Sequence, residues 1–332
     1  MTPVELSRTV LHAVRRAVDE GELRGAVLPE RVRVTPPGPG GCGDYATNVA
    51  LQLARSAGQP AQRVAGILRP RLLRAPGISD VVVTGPGFLN ISLARAGTVG
   101  LVREILRCGS RYGHGDALSG RTVRLRAVPE VRAVVQAEAL GRILRSQGAV
   151  VHLDHLGHLN HLDDDHGTVV RPVPAPADPF PLGRDAAHWA LLHPAPHDRP
   201  RIGGEHLVQR EGNPLFRVRY AHARTRALLR NAADLGFGPE PGPVAEDRSL
   251  VQVLADHPRI LADAAAHRAP DRLARHLVAV ADAVLPLFPA VLPLGEEKPS
   301  AAHRARLALA DAAGAVLAGG LSLLGIDAPD HL

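Results

Sequence analysis

The spacing of apolar residues near the start of the chain predicts helices and a small sheet. Helical spacing runs over residues 2–20, and two further amphipathic stretches follow a turn-rich segment of proline and glycine. Two short apolar runs, 80–84 and 88–93, then flank a Gly-Pro-Gly turn, which is typical of a β-hairpin. Helices combined with a small sheet predict an α+β domain over residues 1–118.

Towards the other end of the chain, the pattern is helical almost throughout. Five segments have helical spacing of apolar residues, with proline or glycine between most of them. They span residues 185–193, 209–235, 249–268, 271–288 and 303–324. Strand signals are nearly absent there, so the sequence predicts an all-α helical bundle over residues 183–332.

The middle of the chain, residues 119–182, has a strand-and-helix pattern and then becomes rich in proline. Eight prolines fall between residues 171 and 200, a density that disfavours both a continuous helix and a central strand. We therefore expect a short remnant of an α/β domain, followed by a stiff linker with one short helix inside it.

Composition narrows the classes of partner. The formal net charge is +6, and Lys298 is the only lysine, so arginine carries nearly all the positive charge. Guanidinium groups make planar, bidentate contacts with phosphate, which favours a polyanionic partner, although a GC-rich genome produces the same excess of arginine. Two cysteines are too few for a disulfide framework. With no run of 18 apolar residues and no signal peptide, we expect a cytoplasmic protein without a membrane partner.

A basic helix over residues 213–231 is the strongest candidate for a binding surface. Its arginines share one broad side of the helix and are Arg217, Arg219, Arg224, Arg226 and Arg230. Phe216 and Tyr220 lie four residues apart and share a face, and Tyr220 lies one turn before Arg224. An aromatic ring beside a guanidinium can stack on a base and hold its phosphate. A solvated helix with two core aromatics would give the same pattern.

Sequence blocks at both ends of the chain resemble one family. Residues 43–54 (GDYATNVALQLA) and 85–93 (GPGFLNISL) are similar to the additional N-terminal domain of arginyl-tRNA synthetases. The later blocks resemble the helical anticodon-binding domain of that family, called the DALR domain. They are GRDAAHWALL (183–192), NPLFRVRYAHAR (213–224), HPRILADAA (257–265) and GGLSLLGIDAP (319–329). The resemblance implies an α+β domain followed by a DALR-type bundle. It also implies that the partner is tRNA, with arginine tRNA as the first candidate.

The resemblance also implies which residues contact tRNA. On the D-loop side these are Phe88 and Asn90, where the family stacks on and hydrogen-bonds to a base. On the anticodon side they are Arg217, Tyr220, His222 and Arg224. The chain departs from the family pattern at Arg217 and Arg219, and again at Ala187 and His188, which leaves the base specificity open.

Most of the family's class I catalytic domain is missing from the sequence. The family binds ATP through a HIGH-type element and a KMSK-type loop, but this chain reads VPEVRA at 128–133 and DDDH at 163–166 in the corresponding places. The segment 121–182 has 62 residues, whereas a nucleotide-binding domain needs on the order of 100 or more. We expect no catalytic residues and no cofactor.

Three hypotheses remain for the function. The first is a non-catalytic protein that binds tRNA through both end domains. The second is an enzyme that charges tRNA with arginine, or that uses charged tRNA as a donor. The third is an interaction protein that docks on a full-length aminoacyl-tRNA synthetase.

A histidine-rich stretch in the middle segment is a weak candidate for metal binding. Histidines recur at intervals of three and are followed by three aspartates; they are His152, His155, His158 and His161. Imidazoles at this density can bind a transition metal. No HExxH or zinc-finger spacing is present, and a solvated remnant of the missing domain explains the stretch better, so we predict no metal site.

Overall fold

The computed structural model describes residues 3–38, 41–93, 95–155, 167–244 and 248–332. The chain forms two compact units, Met1–Leu101 and Val102–Leu332. The three-part division expected from the sequence, 1–118, 119–182 and 183–332, stays a prediction.

Helices and a small antiparallel sheet make up the described part of the first unit. Its elements are α1 (Pro3–Asp19), β1 (Tyr45–Thr47), α2 (Val49–Ala57), α3 (Ala61–Leu73), β2 (Ile78–Thr84) and β3 (Phe88–Leu93). The strand order is β1-β3-β2, and β2 pairs with β3 as the predicted hairpin, with Thr84 opposite Phe88. The short strand β1 lies in a block that the apolar spacing had predicted to be helical. Helix α4 (Arg95–Cys108) spans the boundary between the units.

The core of the first unit follows from the two apolar periodicities. On α1, Leu6, Val10 and Val14 are fully buried at helical spacing. On β3, Leu89 and Ile91 are fully buried and alternate with residues on the other face of the sheet. These side chains belong to one continuous apolar cluster, which holds the helices against the sheet.

The second unit combines a small parallel sheet with a helical bundle. Its elements are β4 (Thr122–Ala127), α5 (Val131–Ser146), β5 (Val150–His155), β6 (Thr168–Val170), α6 (Arg184–Leu192), α7 (Pro214–Asp234), α8 (Arg248–His267), α9 (Pro270–Val284) and α10 (Ala301–Leu324). The sheet has the order β5-β4-β6, and α5 crosses between the parallel strands β4 and β5. The predicted fold class, an α+β domain followed by a helical bundle with an α/β remnant between them, is confirmed.

Proline sets two helix boundaries that apolar spacing alone had misplaced. The sequence predicted a helix from residue 209, but α7 begins at Pro214, since Asn213 caps its first turn. The helix predicted to reach residue 288 ends at Val284 and continues as a 3-10 turn through Pro286 and Pro289, which lack the N–H that an α-helix needs.

Helix α10 lies at the centre of the bundle, where close backbone approach requires glycine. A Cβ at Gly319 would overlap the carbonyl oxygen of Ser110, and a Cβ at Gly320 would overlap the side chain of Leu277. Residues Pro270–Ala290 and Ala301–Leu324 have mean hydropathies of 1.4 and 1.8 and are long enough to cross a membrane. Because 78% of the most apolar stretch of α10 is buried in the unit, a core helix accounts for its composition.

Two buried histidines stack between α8 and α9. The rings of His257 and His276 lie 5.2 Å apart at 28°, and Tyr112 stacks on His257 at 5.9 Å. Burial lowers the pKa of His276 to about 4, and burial followed by the neighbouring His276 lowers the pKa of His257 well below its ordinary value. Both imidazoles are therefore neutral in the folded protein at neutral pH.

Replacing His276 with Phe should make the free energy of unfolding less dependent on pH. The pKa of His276 is depressed in the folded state. Its contribution to the free energy of unfolding is therefore fully present above the pKa of the unfolded chain, about 6.5, and is lost as the pH falls towards 4. Between pH 7.5 and pH 5 this loss is about 2 kcal/mol. Urea unfolding of both proteins at both pH values measures it, with His267→Phe on the exposed end of α8 as the control. If the His276→Phe variant loses as much stability between about pH 7.5 and pH 5 as the wild type does, the depressed pKa of His276 would be contradicted.

Candidate nucleic-acid interface

Helix α7 carries the basic surface that the sequence predicted, and a well-defined cap fixes where it begins. The Asn213 side chain accepts a hydrogen bond from the Leu215 N–H at 3.1 Å. Its amide nitrogen donates to the carbonyl oxygens of His206 and Val208, both at 2.9 Å. The cap therefore joins the start of α7 to the loop before it and sets the direction in which the helix faces solvent.

One stripe of α7 combines aromatic rings with a free cation. The rings of Phe216 and Tyr220 stack with centroids 5.6 Å apart at 22°, and Tyr220 is 41% exposed. Arg224, one turn later, is exposed, and its guanidinium has no partner among the described residues. We call Phe216, Tyr220 and Arg224 the aromatic stripe. It can stack on an unpaired base and contact the adjacent phosphate.

Three other arginines of the helix are held in ion pairs within the unit. Arg217 lies 2.9 Å from Asp282 on α9, Arg219 lies 3.4 Å from Asp185 on α6, and Arg226 lies 3.1 Å from Asp330 in the chain after α10. Their carboxylate partners lie far away in the sequence. Such partly exposed pairs contribute about 0–1 kcal/mol each, so an RNA phosphate could replace a carboxylate at small cost.

His222 differs from the other predicted anticodon-side residues because it is buried. It is 5% exposed, and its Nδ1 lies 3.0 Å from the carbonyl oxygen of Pro329. Burial lowers the pKa of this imidazole, which favours a neutral ring that donates to the carbonyl. In this arrangement His222 positions the segment after α10, and little of its surface is open to a base.

A cavity of about 350 Å³ lies beside the aromatic stripe. Its lining includes Phe216 and Arg219 of α7, Asp185 of α6, and Asp327 and Leu332 after α10. The Asp185 carboxylate pairs with Arg219 and accepts the N–H of Asp327 at 3.2 Å, so it connects the three segments. The volume falls in the range of ligand pockets, and polar groups lie at fixed positions in its wall.

The two D-loop-side residues lie in the first unit and differ in exposure. Phe88 is 39% exposed on β3, which leaves its ring open for stacking. Asn90 is 2% exposed, and its amide nitrogen donates to the Thr84 hydroxyl at 2.6 Å and the Val82 carbonyl at 3.4 Å. Asn90 thus stabilises the hairpin here, and its predicted contact with a base remains a prediction.

The loop between β4 and α5 is closed by a side chain of the protein itself. The carboxylate of Glu130 accepts hydrogen bonds from the N–H groups of Ala133 and Ala175, both at 3.1 Å. The first of these donors belongs to the opening turn of α5, where the helix dipole favours an anion. The position that would suit a bound phosphate is therefore occupied by Glu130.

Next to this cap, the fully buried Arg132 binds the proline-rich segment to α5. Its five N–H donors meet five main-chain carbonyl oxygens at distances of 2.7 to 3.2 Å. These carbonyls belong to Val173, Leu191, Pro194, Ala195 and Asp198. Burial lowers the pKa of the guanidinium, although its ordinary value is high enough to keep it charged.

The histidine-rich stretch gives no metal site among the described residues. His152 is exposed on β5. The side chain of His155, and His158 and His161 entirely, lie outside the described residues. Elsewhere in the described ranges, no group of three or more histidine, cysteine or acidic side chains is arranged to hold a metal ion.

Comparisons with known proteins agree with the geometry at both ends of the chain. The model for the arginyl tRNA synthetase N terminal domain matches residues 5–93, and the model for the DALR anticodon binding domain matches residues 218–332. The arginine–tRNA ligase of Paenarthrobacter aurescens is 24% identical over 550 aligned positions that span both whole chains. The chain is an arginyl-tRNA synthetase-related protein.

The solved arginyl-tRNA synthetases share the fold. The Thermus thermophilus enzyme matches with a TM-score of 0.70 at 16% identity, covering 100% of both chains. The Plasmodium falciparum enzyme matches with a TM-score of 0.72 at 8% identity, covering 99% of both chains.

The alignments also show how much of these relatives has no counterpart here. The 332 residues of the chain align over 550 positions with the Paenarthrobacter ligase, so well over a third of that alignment contains no residue of this chain. The arginine–tRNA ligase of Micrococcus luteus is 38% identical over 169 residues, which span 47% of this chain and 30% of that ligase.

Several residues that shape this synthetase-related chain were missed by sequence reasoning. Arg132 and Asp185 give no local signal, because their partners are distant in the sequence. Glu130 was detectable, since the helix dipole favours an acidic side chain at the start of a helical pattern.

Replacing Arg132 with Met should lower the free energy of unfolding by about 3 kcal/mol or more, because five main-chain carbonyls that are buried or partly buried lose their donors. Urea unfolding measures the change. Arg145→Met on the same helix is the matched control, since Arg145 is exposed and donates to one carbonyl, that of Val151. Equal losses in the two variants would show that Arg132 does not anchor the segment.

Proposed function

We propose that this chain is a non-catalytic arginyl-tRNA synthetase-like protein that binds tRNA. The observation that carries the proposal is the aromatic stripe on α7. Phe216 and Tyr220 offer stacked, partly exposed rings, and the unpaired Arg224 lies one turn away. Tyr220 and Arg224 of the stripe lie in the region matched by the anticodon-binding family model, so we assign the stripe to the anticodon loop of tRNA, with arginine tRNA as the first candidate.

The cavity at Asp185 extends the same surface. Single-stranded loops are recognised by stacking and by hydrogen bonds to base edges, whereas arginines hold the phosphates. In the proposal, an unstacked base enters the cavity, where Asp185, Arg219 and the main chain near Asp327 supply polar groups. In the first unit, Phe88 offers a second stacking surface for the D-loop.

The closed loop after β4 supports the absence of catalysis. Adenylate formation needs donors that hold ATP phosphates in place. Here the Glu130 carboxylate accepts the N–H of Ala133 in the opening turn of α5 and that of Ala175, and Arg132 fixes the proline-rich segment across the same region. A phosphate would meet a carboxylate at this position, and electrostatic repulsion would oppose its binding.

Replacing Tyr220 with Ala should weaken the binding of total tRNA by about 5- to 150-fold, the equivalent of one stacked base. A filter-binding titration at two salt concentrations measures the change, and sequencing of the retained RNA identifies the isoacceptors. Tyr220→Phe keeps the ring and should retain wild-type affinity. For the charge, Arg224→Gln should weaken binding more than Arg272→Gln, which removes an exposed arginine from α9. Equal binding by wild type and Tyr220→Ala would exclude the stripe as the tRNA site.

The purified chain should catalyse no arginine-dependent exchange between ATP and pyrophosphate. The relatives are arginine–tRNA ligases, so the exchange assay separates a retained ligase activity from binding alone. A full-length arginyl-tRNA synthetase in the same buffer serves as the positive control. Exchange above the level without arginine would overturn the non-catalytic assignment, whatever the affinity for tRNA.

A further inference from the structure

The segment after α10 lies along one edge of α7 and contacts two of its arginines, Arg226 and Arg230. His222, Arg226 and Arg230 are spaced four residues apart and so form a second stripe on the helix. Each of the three contacts residues 329–331. His222 faces the Pro329 carbonyl, Arg226 pairs with the Asp330 carboxylate at 3.1 Å, and Arg230 donates to the Asp330 carbonyl at 3.3 Å.

This second stripe differs from the aromatic stripe in one respect that matters for RNA. Arg224 is open to solvent without a partner in the described chain, whereas Arg226 and Arg230 face an acidic segment of the same molecule. A carboxylate accepts hydrogen bonds from a guanidinium in the same way as a phosphate oxygen does. Asp330 therefore takes the position that a phosphate of the RNA backbone would take.

We propose that Arg226 and Arg230 form a phosphate-binding site for the RNA backbone, which Asp330 occupies and masks in the free protein. The assignment of RNA as the ligand rests on the function proposed above. RNA binds fully when a phosphate replaces the Asp330 carboxylate, so Asp330 acts as an internal competitor that lowers the affinity.

The geometry allows Asp330 to leave without unfolding the segment. Two main-chain contacts hold the segment independently of this carboxylate, namely the Asp327 N–H to Asp185 at 3.2 Å and the Pro329 carbonyl to His222 at 3.0 Å. The Arg226–Asp330 pair is itself about half exposed, with side-chain exposures of 45% and 55%. Exchange at Arg226 thus requires a side-chain movement at residue 330, and at Arg230 it requires the guanidinium to turn away from the Asp330 carbonyl, while the anchors at 327 and 329 stay in place.

A matched pair of charge variants tests the proposal. Asp330→Asn and Asp234→Asn change the net charge equally, but Asp234, exposed at the end of α7, has no ion pair in the described chain and lies outside the cavity at Asp185. Asp330→Asn should bind total tRNA about 1.5- to 5-fold more tightly than Asp234→Asn, the range expected for loss of an exposed pair. Similar unfolding midpoints for both variants would confirm that the segment stays docked.

A double-mutant cycle separates a phosphate contact from a general charge effect. Arg226→Gln should weaken tRNA binding more in the Asp330→Asn background than in the wild type, where Asp330 already neutralises the arginine. Equal affinity gains in Asp330→Asn and Asp234→Asn, together with additive effects of Arg226→Gln, would overturn the proposal. Weaker binding by Asp330→Asn would overturn it as well, because it would make Asp330 part of the RNA contact.

Heparin distinguishes failure of this proposal from failure of the proposed function. If neither the wild type nor any variant binds tRNA, the proposed tRNA-binding function is wrong. Heparin then replaces tRNA as the polyanion in the same titrations. Tighter heparin binding by Asp330→Asn than by Asp234→Asn would support masking of an anion site by Asp330. Equal heparin binding would overturn it.

Discussion

The second unit depends on the hydrogen bonds that the buried guanidinium of Arg132 donates to main-chain carbonyls. A buried charge is tolerated only when all its hydrogen bonds are satisfied, and Arg132 has five donors for five carbonyls. The proline-rich segment is suited to supply them, because prolines interrupt regular structure and leave carbonyl oxygens uncommitted. The low propensity of this segment for helix or strand is thus what allows it to bind α5 tightly.

This anchoring changes what the α/β remnant can do. The start of α5 would attract an anion through the helix dipole, but Glu130 and the proline-rich segment already cover it. The remnant therefore supports the bundle, since α5 packs on the sheet and on helices of the bundle. Surface that faces solvent and carries unpaired cationic charge lies elsewhere, on α7, and Arg224 is its clearest example.

The helices and the hairpin could be predicted from the sequence because apolar spacing is a local property. The pairing of charges could not. Arg217, Arg219 and Arg226 formed one continuous basic face in the sequence, yet each is bound to an aspartate on another segment. The burial of His222 and Asn90 was hidden for the same reason, since the groups that cover them are brought close only by the fold. Sequence patterns thus identified the helix that carries the candidate site, but not which of its side chains are free.

The distribution of paired and free groups limits how α7 could select an RNA. When a phosphate replaces a carboxylate at Arg226, one anion substitutes for another, so the net gain comes mainly from counterion release and is the same for every sequence. Phosphate contacts set the position of an RNA, whereas base contacts distinguish one RNA from another. Any discrimination among tRNAs must therefore come from the ring of Tyr220 and from the cavity at Asp185, where base edges would meet fixed polar groups. In the proposed function, the arginines would determine how strongly the helix binds RNA, and the aromatic and acidic residues would determine which RNA it retains.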